Sequence, residues 1–204
     1  MNVQEEISKY LLSHDTVNVV IAGTTCSGKT TLANEIRNHF SDRYSVTLVA
    51  QDDYFKNLPD IPRVREGYLT DSIEAFHTIE FKHDVQKLLT NGVATMPRYD
   101  IATNTRVSKN KIVRAGRINV FEGLHTIQLL GELDNCIKIF VDTDIDICLK
   151  RRIARDTSKF GVPEVRIRQY WNDCVKPMCE RFIFPQKEDA DITIDRKGGE
   201  FNDS

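Results

Sequence analysis

Val17 to Thr30 reads VNVVIAGTTCSGKT, and this stretch decides the fold. Its first six residues are mostly apolar and β-branched, which predicts a buried strand over Val17–Ala22. Gly23 to Thr30 then matches G-x-x-x-x-G-K-[ST] in full, and helix-like spacing follows from about Lys29 to Phe40. A strand, a glycine-rich loop and a helix in this order are the context that the pattern requires, so we predict a phosphate-binding loop.

This loop predicts a nucleoside triphosphate as ligand. Its glycines let backbone N–H groups turn inward at a helix N-terminus, Lys29 brings a positive charge to the β- and γ-phosphates, and the Thr30 hydroxyl can ligate Mg²⁺. The residues assigned to nucleotide binding are Gly23, Thr24, Thr25, Cys26, Ser27, Gly28, Lys29, Thr30 and Thr31.

The composition is that of a soluble globular protein. Of 204 residues 40% are hydrophobic and 28% charged, and 28 Lys+Arg against 30 Asp+Glu leave a formal charge of −2. No global basic field therefore favours nucleic acid or anionic lipid. The N-terminus is too polar for a secretory signal, no apolar run approaches membrane-spanning length, and the five cysteines form no CxxC pair. We expect reduced thiols, a cytoplasmic location, and neither a nucleic-acid partner nor a membrane.

Further apolar runs along the chain are separated by segments long enough to form helices. Strands are predicted over Val46–Ala50, Ile118–Phe121 and Ile137–Val141, and a helix over Ile79–Leu89. This predicts a three-layer α/β/α fold with a mostly parallel sheet and ligands beyond the C-terminal ends of its strands. The expected organisation is an N-terminal amphipathic helix within residues 1–16, a single domain over 17–195 and a flexible tail over 196–204.

Two stretches interrupt this alternation. Pro97 to Val113 alternates polar and apolar residues around Lys109 and Asn110, which predicts a β-hairpin flap. Asp144 to Asp156 predicts a basic helix, on which Arg152 and Arg155 share one face. Arginines on a movable helix can neutralise a migrating phosphoryl group and exclude water, but a charge run is more often a solvated surface, so a lid over about residues 150–166 stays one of two interpretations of the spacing, the one that the resemblance given below favours.

The sequence narrows the class of nucleotide-binding protein. A switch GTPase would be expected to carry N-K-x-D, but Asn110–Val113 reads NKIV, and D-x-x-G occurs only at Asp195–Gly198. A motor ATPase normally couples two domains or stacks subunits, and nothing in this sequence suggests more than one compact domain. A kinase of a small molecule fits best.

Carboxylates at predicted strand ends fit the acceptor side of such a kinase. The second strand runs into QDDYFK, where Asp52 or Asp53 could orient an alcohol and accept its proton. Glu122 ends the strand INVFEG and could hold Mg²⁺ directly or through water.

Taken in order, GTTCSGKTT, QDDYFK, PRYDIATNTR, VFEG, RRIARD and QYWNDCVKPMCERFIFPQKEDADITI resemble the uridine kinase family, within the phosphoribulokinase and uridine kinase group of P-loop kinases. The resemblance spans about Val17 to Ile194. It implies a P-loop kinase fold, Mg-ATP or Mg-GTP as donor, and transfer of the γ-phosphoryl group to the 5′-hydroxyl of uridine or cytidine. It also implies a homo-oligomer, a dimer or a tetramer.

The resemblance assigns roles to individual residues. Asp52 would be the general base, and Lys29, Arg152 and Arg155 would complete the catalytic set. Thr30, Asp52 and Glu122 would serve Mg²⁺. Asp71 would bind the ribose hydroxyls, and the other nucleoside-binding positions would be Tyr99, Asn104, Arg106 and Gln169.

Departures from the family pattern lie on the acceptor side. Ile101 and Asn104 replace an aromatic residue and a histidine of the flap, and Phe160 and Val162 replace later lid arginines. QDDYFK also resembles nicotinamide riboside kinases. The alternatives are therefore a kinase of another small alcohol, such as nicotinamide riboside, a sugar phosphate or pantothenate, and a catalytically silent nucleotide-binding regulator.

Overall fold

The computed structural model describes residues 2–64, 67–101 and 103–196, with only the backbone described at 108 and 109. In this part of the chain the strands are β1 (Val17–Gly23), β2 (Val46–Ala50), β3 (Arg63–Val64), β4 (Gly67–Tyr68), β5 (Val93–Asp100), β6 (Thr105–Arg114), β7 (Ile118–Glu122), β8 (Cys136–Val141) and β9 (Ile192–Ile194). The helices are α1 (Val3–Ser13), α2 (Lys29–Phe40), α3 (Thr78–Asn91), α4 (Thr126–Leu130), α5 (Ile145–Phe160), α6 (Glu164–Tyr170) and α7 (Lys176–Met178). Shorter 3₁₀ turns cover Gln51–Tyr54, Leu58–Asp60, Ile73–Ala75 and Phe184–Lys187.

The central sheet is parallel, with the strand order β2-β7-β1-β8-β9. All seven residues of β1 are buried, because helices cover both faces of the sheet. Alternate β1 residues point to opposite faces: Val19 and Ile21 pack with α1 and α2, whereas Val20 packs with Phe81 of α3 and Trp171. The predicted three-layer α/β/α fold with a mostly parallel sheet is confirmed.

The strand and helix predictions hold with small changes at their ends. The helix over Lys29–Phe40 and the strand over Val46–Ala50 are confirmed at the predicted bounds. The helix predicted over Ile79–Leu89 is α3, which is longer at both ends, and the N-terminal helix is α1. Helix ends are the positions that sequence patterns place least accurately.

The predicted flap is the antiparallel hairpin of β5 and β6, but its turn was placed wrongly. Lys109 and Asn110 lie within β6, and the strands are joined by residues 101–104, of which 102 is outside the described residues. Asn104 adopts a left-handed conformation (φ 52°), which asparagine tolerates better than most residues and which suits a tight turn. We call this hairpin the flap.

The basic segment forms α5, which we call the arginine helix. The side chain of Asp144 caps it by accepting the N–H groups of Asp146 and Ile147, and Gly161 ends it in a left-handed conformation. The helical run that follows from Glu164 continues through two wider π-helical turns, Trp171–Val175 and Cys179–Ile183.

The C-terminal tail predicted over 196–204 is described only at its first residue. Arg196 makes a two-pronged ion pair with Glu35 of α2, and residues 197–204 lie outside the described residues. Within the described ranges, no helix combines the length and apolar character needed to cross a membrane.

Candidate active site

The phosphate-binding loop lies where β1 ends and α2 begins. Gly28 has a φ of 101° and serves as the N-cap of α2. Gly23 has a φ of 152°, and a Cβ there would lie 2.7 Å from the carbonyl oxygen of Val141, so this position requires glycine. The Lys29 ammonium group donates to the carbonyl oxygen of Thr24 at 2.7 Å, across the loop. The chain thus places a lysine and the N-terminus of a helix at one concave turn, which suits a phosphate group.

The arginine helix and its preceding turn hold this loop from the other side. Arg151 donates to the carbonyl oxygens of Cys26 and Ser27 at 3.3 and 3.5 Å. The Thr143 hydroxyl donates to the same Ser27 carbonyl at 2.8 Å. Sequence reasoning did not assign either side chain a role, although Arg151 stood in the basic stretch that it singled out.

Two carboxylates stand beside the loop at the carboxyl edge of the sheet. Ala50, the last residue of β2, pairs with Glu122 at the end of β7, so the segment leaving β2 passes next to Glu122. The Thr30 hydroxyl donates to Glu122 Oε1 at 3.0 Å. Asp52 and Glu122 line one cavity together with Lys29 and Thr30. The structure therefore brings the predicted base and the predicted magnesium ligands to one place.

Burial and neighbouring negative charges raise the pKa of both carboxyl groups. Glu122 has its pKa raised to about 7, chiefly by burial and next by the charge of Asp52, against the lowering effects of Lys29 and the Thr30 hydrogen bond. The pKa of Asp52 is also raised by burial and by Asp71, while Lys29 and Arg155 oppose the rise. A raised pKa makes Asp52 a stronger proton acceptor than an ordinary aspartate.

This donor set suits Mg²⁺. The site supplies one hydroxyl and two carboxylates. Mg²⁺ prefers such hard oxygen ligands and usually takes only a few from the protein, because phosphate oxygens and water complete its coordination shell. A cation here would also relieve the repulsion between Asp52 and Glu122. Within the described ranges, no group of three or more His, Cys, Asp and Glu side chains could hold a metal ion by itself.

The geometry separates Asp52 from its neighbour Asp53. The Asp53 carboxylate accepts the main-chain N–H of Tyr99 at 3.3 Å and the ammonium group of Lys111 at 3.2 Å, which ties it to the flap. Asp52 instead lines the cavity. Of the two aspartates that the sequence left open, Asp52 is the one available to an acceptor hydroxyl.

Asp71 stands buried in the cavity wall. The Thr70 hydroxyl donates to its Oδ2 at 3.1 Å, and the Arg152 guanidinium lies 3.6 Å from the same oxygen. Tyr170 fixes this segment, since its hydroxyl donates to the carbonyl oxygen of Tyr68 at 2.5 Å and lies 2.7 Å from the Thr70 hydroxyl. Asp71 is thus presented to the cavity by contacts that come from the arginine helix and from α6.

Arg152 and Arg155 lie on one face of the arginine helix, as predicted. Both donate to Asp156, at 3.2 and 2.7 Å, and both line the cavity. Burial lowers the pKa of Arg152, but Asp71, Tyr170 and Asp156 outweigh it and the pKa is raised overall. Arg152 is therefore a fixed cation between the carboxylate of Asp71 and the aromatic ring of Tyr170, 5.3 Å away.

The acceptor side of the cavity is largely apolar. The whole cavity, nucleotide side included, has a volume of about 830 Å³, within the range of roughly 300 to 1,000 Å³ found for small-molecule sites. The rings of Phe55 and Tyr99 pack at 5.3 Å in its wall, and Asn104 lies at the flap turn. Further apolar side chains that line it are Leu58, Ile61, Ile101 and Leu124.

Two predicted acceptor residues are not brought to this cavity. Arg106 turns toward α3, where its guanidinium donates to Glu80 at 2.6 Å. Gln169 is exposed, and it is the next residue, Tyr170, that faces Thr70. Each helical residue turns the side-chain direction by about 100°, so Gln169 and Tyr170 point in different directions.

Comparison with known proteins identifies the family of this chain. The sequence model described as "Phosphoribulokinase / Uridine kinase family" matches residues 19–200. A uridine kinase of Lactobacillus johnsonii is 35% identical over 185 residues, which is 88% of this chain and 86% of that protein. "Uridine kinase-like protein 5" of Arabidopsis thaliana is 34% identical over 182 residues, and the match spans 87% of this chain but 38% of that relative.

Solved structures show the same fold. Phosphoribulokinase from Rhodobacter spheroides superposes with a TM-score of 0.59 at 14% identity, over 89% of this chain and 70% of that one. At this identity the likeness concerns the fold alone.

Proposed function

This chain belongs to the phosphoribulokinase and uridine kinase family, and we propose that it transfers the γ-phosphoryl group of ATP or GTP to the 5′-hydroxyl of a nucleoside. Uridine and cytidine are the first acceptors to test, because the full-length bacterial relative bears the name uridine kinase. The observation that carries the proposal is the position of Asp52, which lines one cavity with Lys29, Glu122 and Asp71.

Each residue has a chemical task in this reaction. Asp52 accepts the proton of the acceptor hydroxyl as that oxygen attacks the γ-phosphorus. Lys29 holds the β- and γ-phosphates, and Arg152 and Arg155 neutralise charge on the transferred group. Thr30, Asp52 and Glu122 would hold Mg²⁺, which would offset the negative charge of the phosphates.

On the acceptor side, Asp71 has a carboxylate that can accept two sugar hydroxyls. Its buried position beside Arg152 fixes that carboxylate before the acceptor arrives. Phe55 and Tyr99 offer aromatic surfaces on which a flat base can stack, and Asn104 can hydrogen-bond to the edge of that base.

The experiment compares two neighbouring variants, Asp52→Asn and Asp53→Asn. ADP release is followed with Mg-ATP against uridine, cytidine, nicotinamide riboside, purine nucleosides, ribulose 5-phosphate and pantothenate, and product masses are measured. We expect Asp52→Asn to lower kcat about a thousandfold while the Kd of a non-hydrolysable ATP analogue changes little. Asp53→Asn should keep kcat within about tenfold, because its carboxylate holds the flap and is not the proton acceptor.

Other results would change the proposed base, the proposed acceptor or the proposed function. Equal kcat in wild type and Asp52→Asn would remove Asp52 as the base. Turnover only with an acceptor other than uridine or cytidine would mean that Ile101 and Asn104 mark a changed specificity. ATP binding without turnover of any acceptor would favour a nucleotide-binding regulator.

A further inference from the structure

His125 lies fully buried just after β7, under the segment that carries Asp71. Its ring Nε2 lies 3.0 Å from the main-chain carbonyl oxygen of Asp71. Since a carbonyl oxygen can only accept a hydrogen bond, Nε2 carries the proton and donates it. The ring is held edge-on to Phe76, with centroids 5.7 Å apart and planes at 71°. His125 therefore fixes the main chain of the residue whose carboxylate enters the cavity.

The main chain of His125 makes a second link, to the segment that carries Asp52. Its N–H donates to Oε1 of Gln51 at 2.9 Å, and Gln51 is fully buried immediately before Asp52. Gly123 permits this contact, since a Cβ at that position would lie 2.4 Å from Gln51 Oε1. One buried residue thus connects the Asp52 and Asp71 segments.

Two buried atoms in this contact have no hydrogen-bond partner among the described residues: Nδ1 of His125 and Nε2 of Gln51. An unsatisfied polar atom in a protein interior destabilises the fold; a leucine at 125 would remove Nδ1, but it would also leave the carbonyl oxygen of Asp71 without its donor. Burial also lowers the pKa of His125 to about 4, so the imidazole is neutral in the physiological range. The two hydrogen bonds that His125 donates, from its ring to Asp71 and from its main chain to Gln51, join the two segments of the site.

We propose that His125 is a positioning residue that holds Asp71 in register with Asp52. In the proposed reaction, on which this inference rests, Asp71 binds the sugar hydroxyls while Asp52 faces the hydroxyl that is phosphorylated. A shift of the Asp71 main chain would move the sugar relative to the base and leave the nucleotide site unchanged. His125 therefore acts on the acceptor and not on ATP.

The test uses His125→Leu, which removes the donor, and His125→Gln, whose side-chain amide can restore it. Thr126→Val is the matched control, because it removes a neighbouring buried hydrogen bond, from the Thr126 hydroxyl to the carbonyl oxygen of Ile21, that does not involve Asp71. Two readouts are compared: KM for the acceptor against KM for ATP, and amide hydrogen exchange of the peptide over residues 69–76 in the free protein.

For His125→Leu we expect an acceptor KM about tenfold higher, an ATP KM within about twofold, and about tenfold faster exchange over residues 69–76. His125→Gln should restore both readouts, and Thr126→Val should change only the melting temperature. Unchanged exchange in His125→Leu overturns the inference, as does equal loss of acceptor and ATP affinity. An inactive wild type refutes the proposed function alone, because hydrogen exchange still decides whether His125 positions Asp71.

Discussion

Glu122→Gln should stabilise the free protein while strongly lowering kcat of the proposed reaction. The structure places this carboxylate next to Asp52 in a partly buried position, where its pKa is raised from 4.5 to about 7. That rise corresponds to a cost of roughly 3 kcal/mol for the ionised form in the folded state. Because the side chain remains partly open to the cavity, solvent screening reduces the expected cost to about 1–2 kcal/mol.

The raised pKa of Glu122 also sets the direction in which stability changes with pH. Between pH 4.5 and 7 the folded protein holds a proton on Glu122 that the unfolded chain has released, so the free energy of unfolding falls as the pH rises. Glutamine cannot ionise, and its amide oxygen can still accept the Thr30 hydroxyl. The free energy of unfolding of the variant should therefore match that of the wild type near pH 4.5 and exceed it by about 1–2 kcal/mol above about pH 8.

The assay is thermal unfolding in magnesium-free buffer across this pH range. For a chain of this length we expect a melting temperature about 3–6 °C above that of the wild type at pH 8, and no difference near pH 4.5. Glu188→Gln, at an exposed site, is the matched control for the loss of one carboxylate. Glu122→Gln should also lower kcat at least about a hundredfold with Mg-ATP. A variant less stable than the wild type at pH 8 would refute the reasoning that Glu122 is held at a cost to the fold.

Three further substitutions test the frame of the cavity. Tyr170→Phe removes the hydroxyl that holds Thr70, so the acceptor KM should rise about fivefold at unchanged ATP affinity, measured by steady-state kinetics. Gly23→Ala places a Cβ 2.7 Å from the carbonyl oxygen of Val141, and thermal unfolding should show a loss of about 2 kcal/mol or more. Arg151→Met frees two loop carbonyls, and calorimetry should show about tenfold weaker binding of an ATP analogue.

The nucleotide side could be predicted because its parts are adjacent in sequence. The apolar run of β1, the glycines and Lys29 lie within fourteen residues, from Val17 to Thr30. Gly23 and Gly28 occupy conformations that glycine adopts easily, so the local pattern already specifies the backbone of the loop. Strand, loop and helix consequently follow from short-range preferences that tertiary contacts do not override.

The acceptor side could be predicted only in part because its contacts are distant in sequence. Asp71 is held by His125, 54 positions away, and its neighbour Thr70 by Tyr170, 100 positions away. The sequence pattern predicted a helical run beyond Glu164, but it did not predict which residue of that run points into the protein. A π-helical turn, which changes the helical spacing, begins directly after Tyr170. The same reason applies to Arg106, whose partner Glu80 lies on α3.

The buried frame of the cavity and the exposed tip of the flap also differ in how well they tolerate substitution. Asp71 and His125 are buried, so substitutions there disturb hydrogen bonds inside the protein. Ile101, by contrast, is 52% exposed at the flap tip, and Asn104 is exposed beside it. Because exposed positions away from special contacts tolerate substitution at little cost in stability, the flap tip, which we propose faces the base, can vary while the buried frame that we propose binds the sugar stays fixed. We therefore expect differences in acceptor specificity between this chain and its relatives to follow residues 101–104, and phosphate chemistry to follow the loop of Gly23–Thr30.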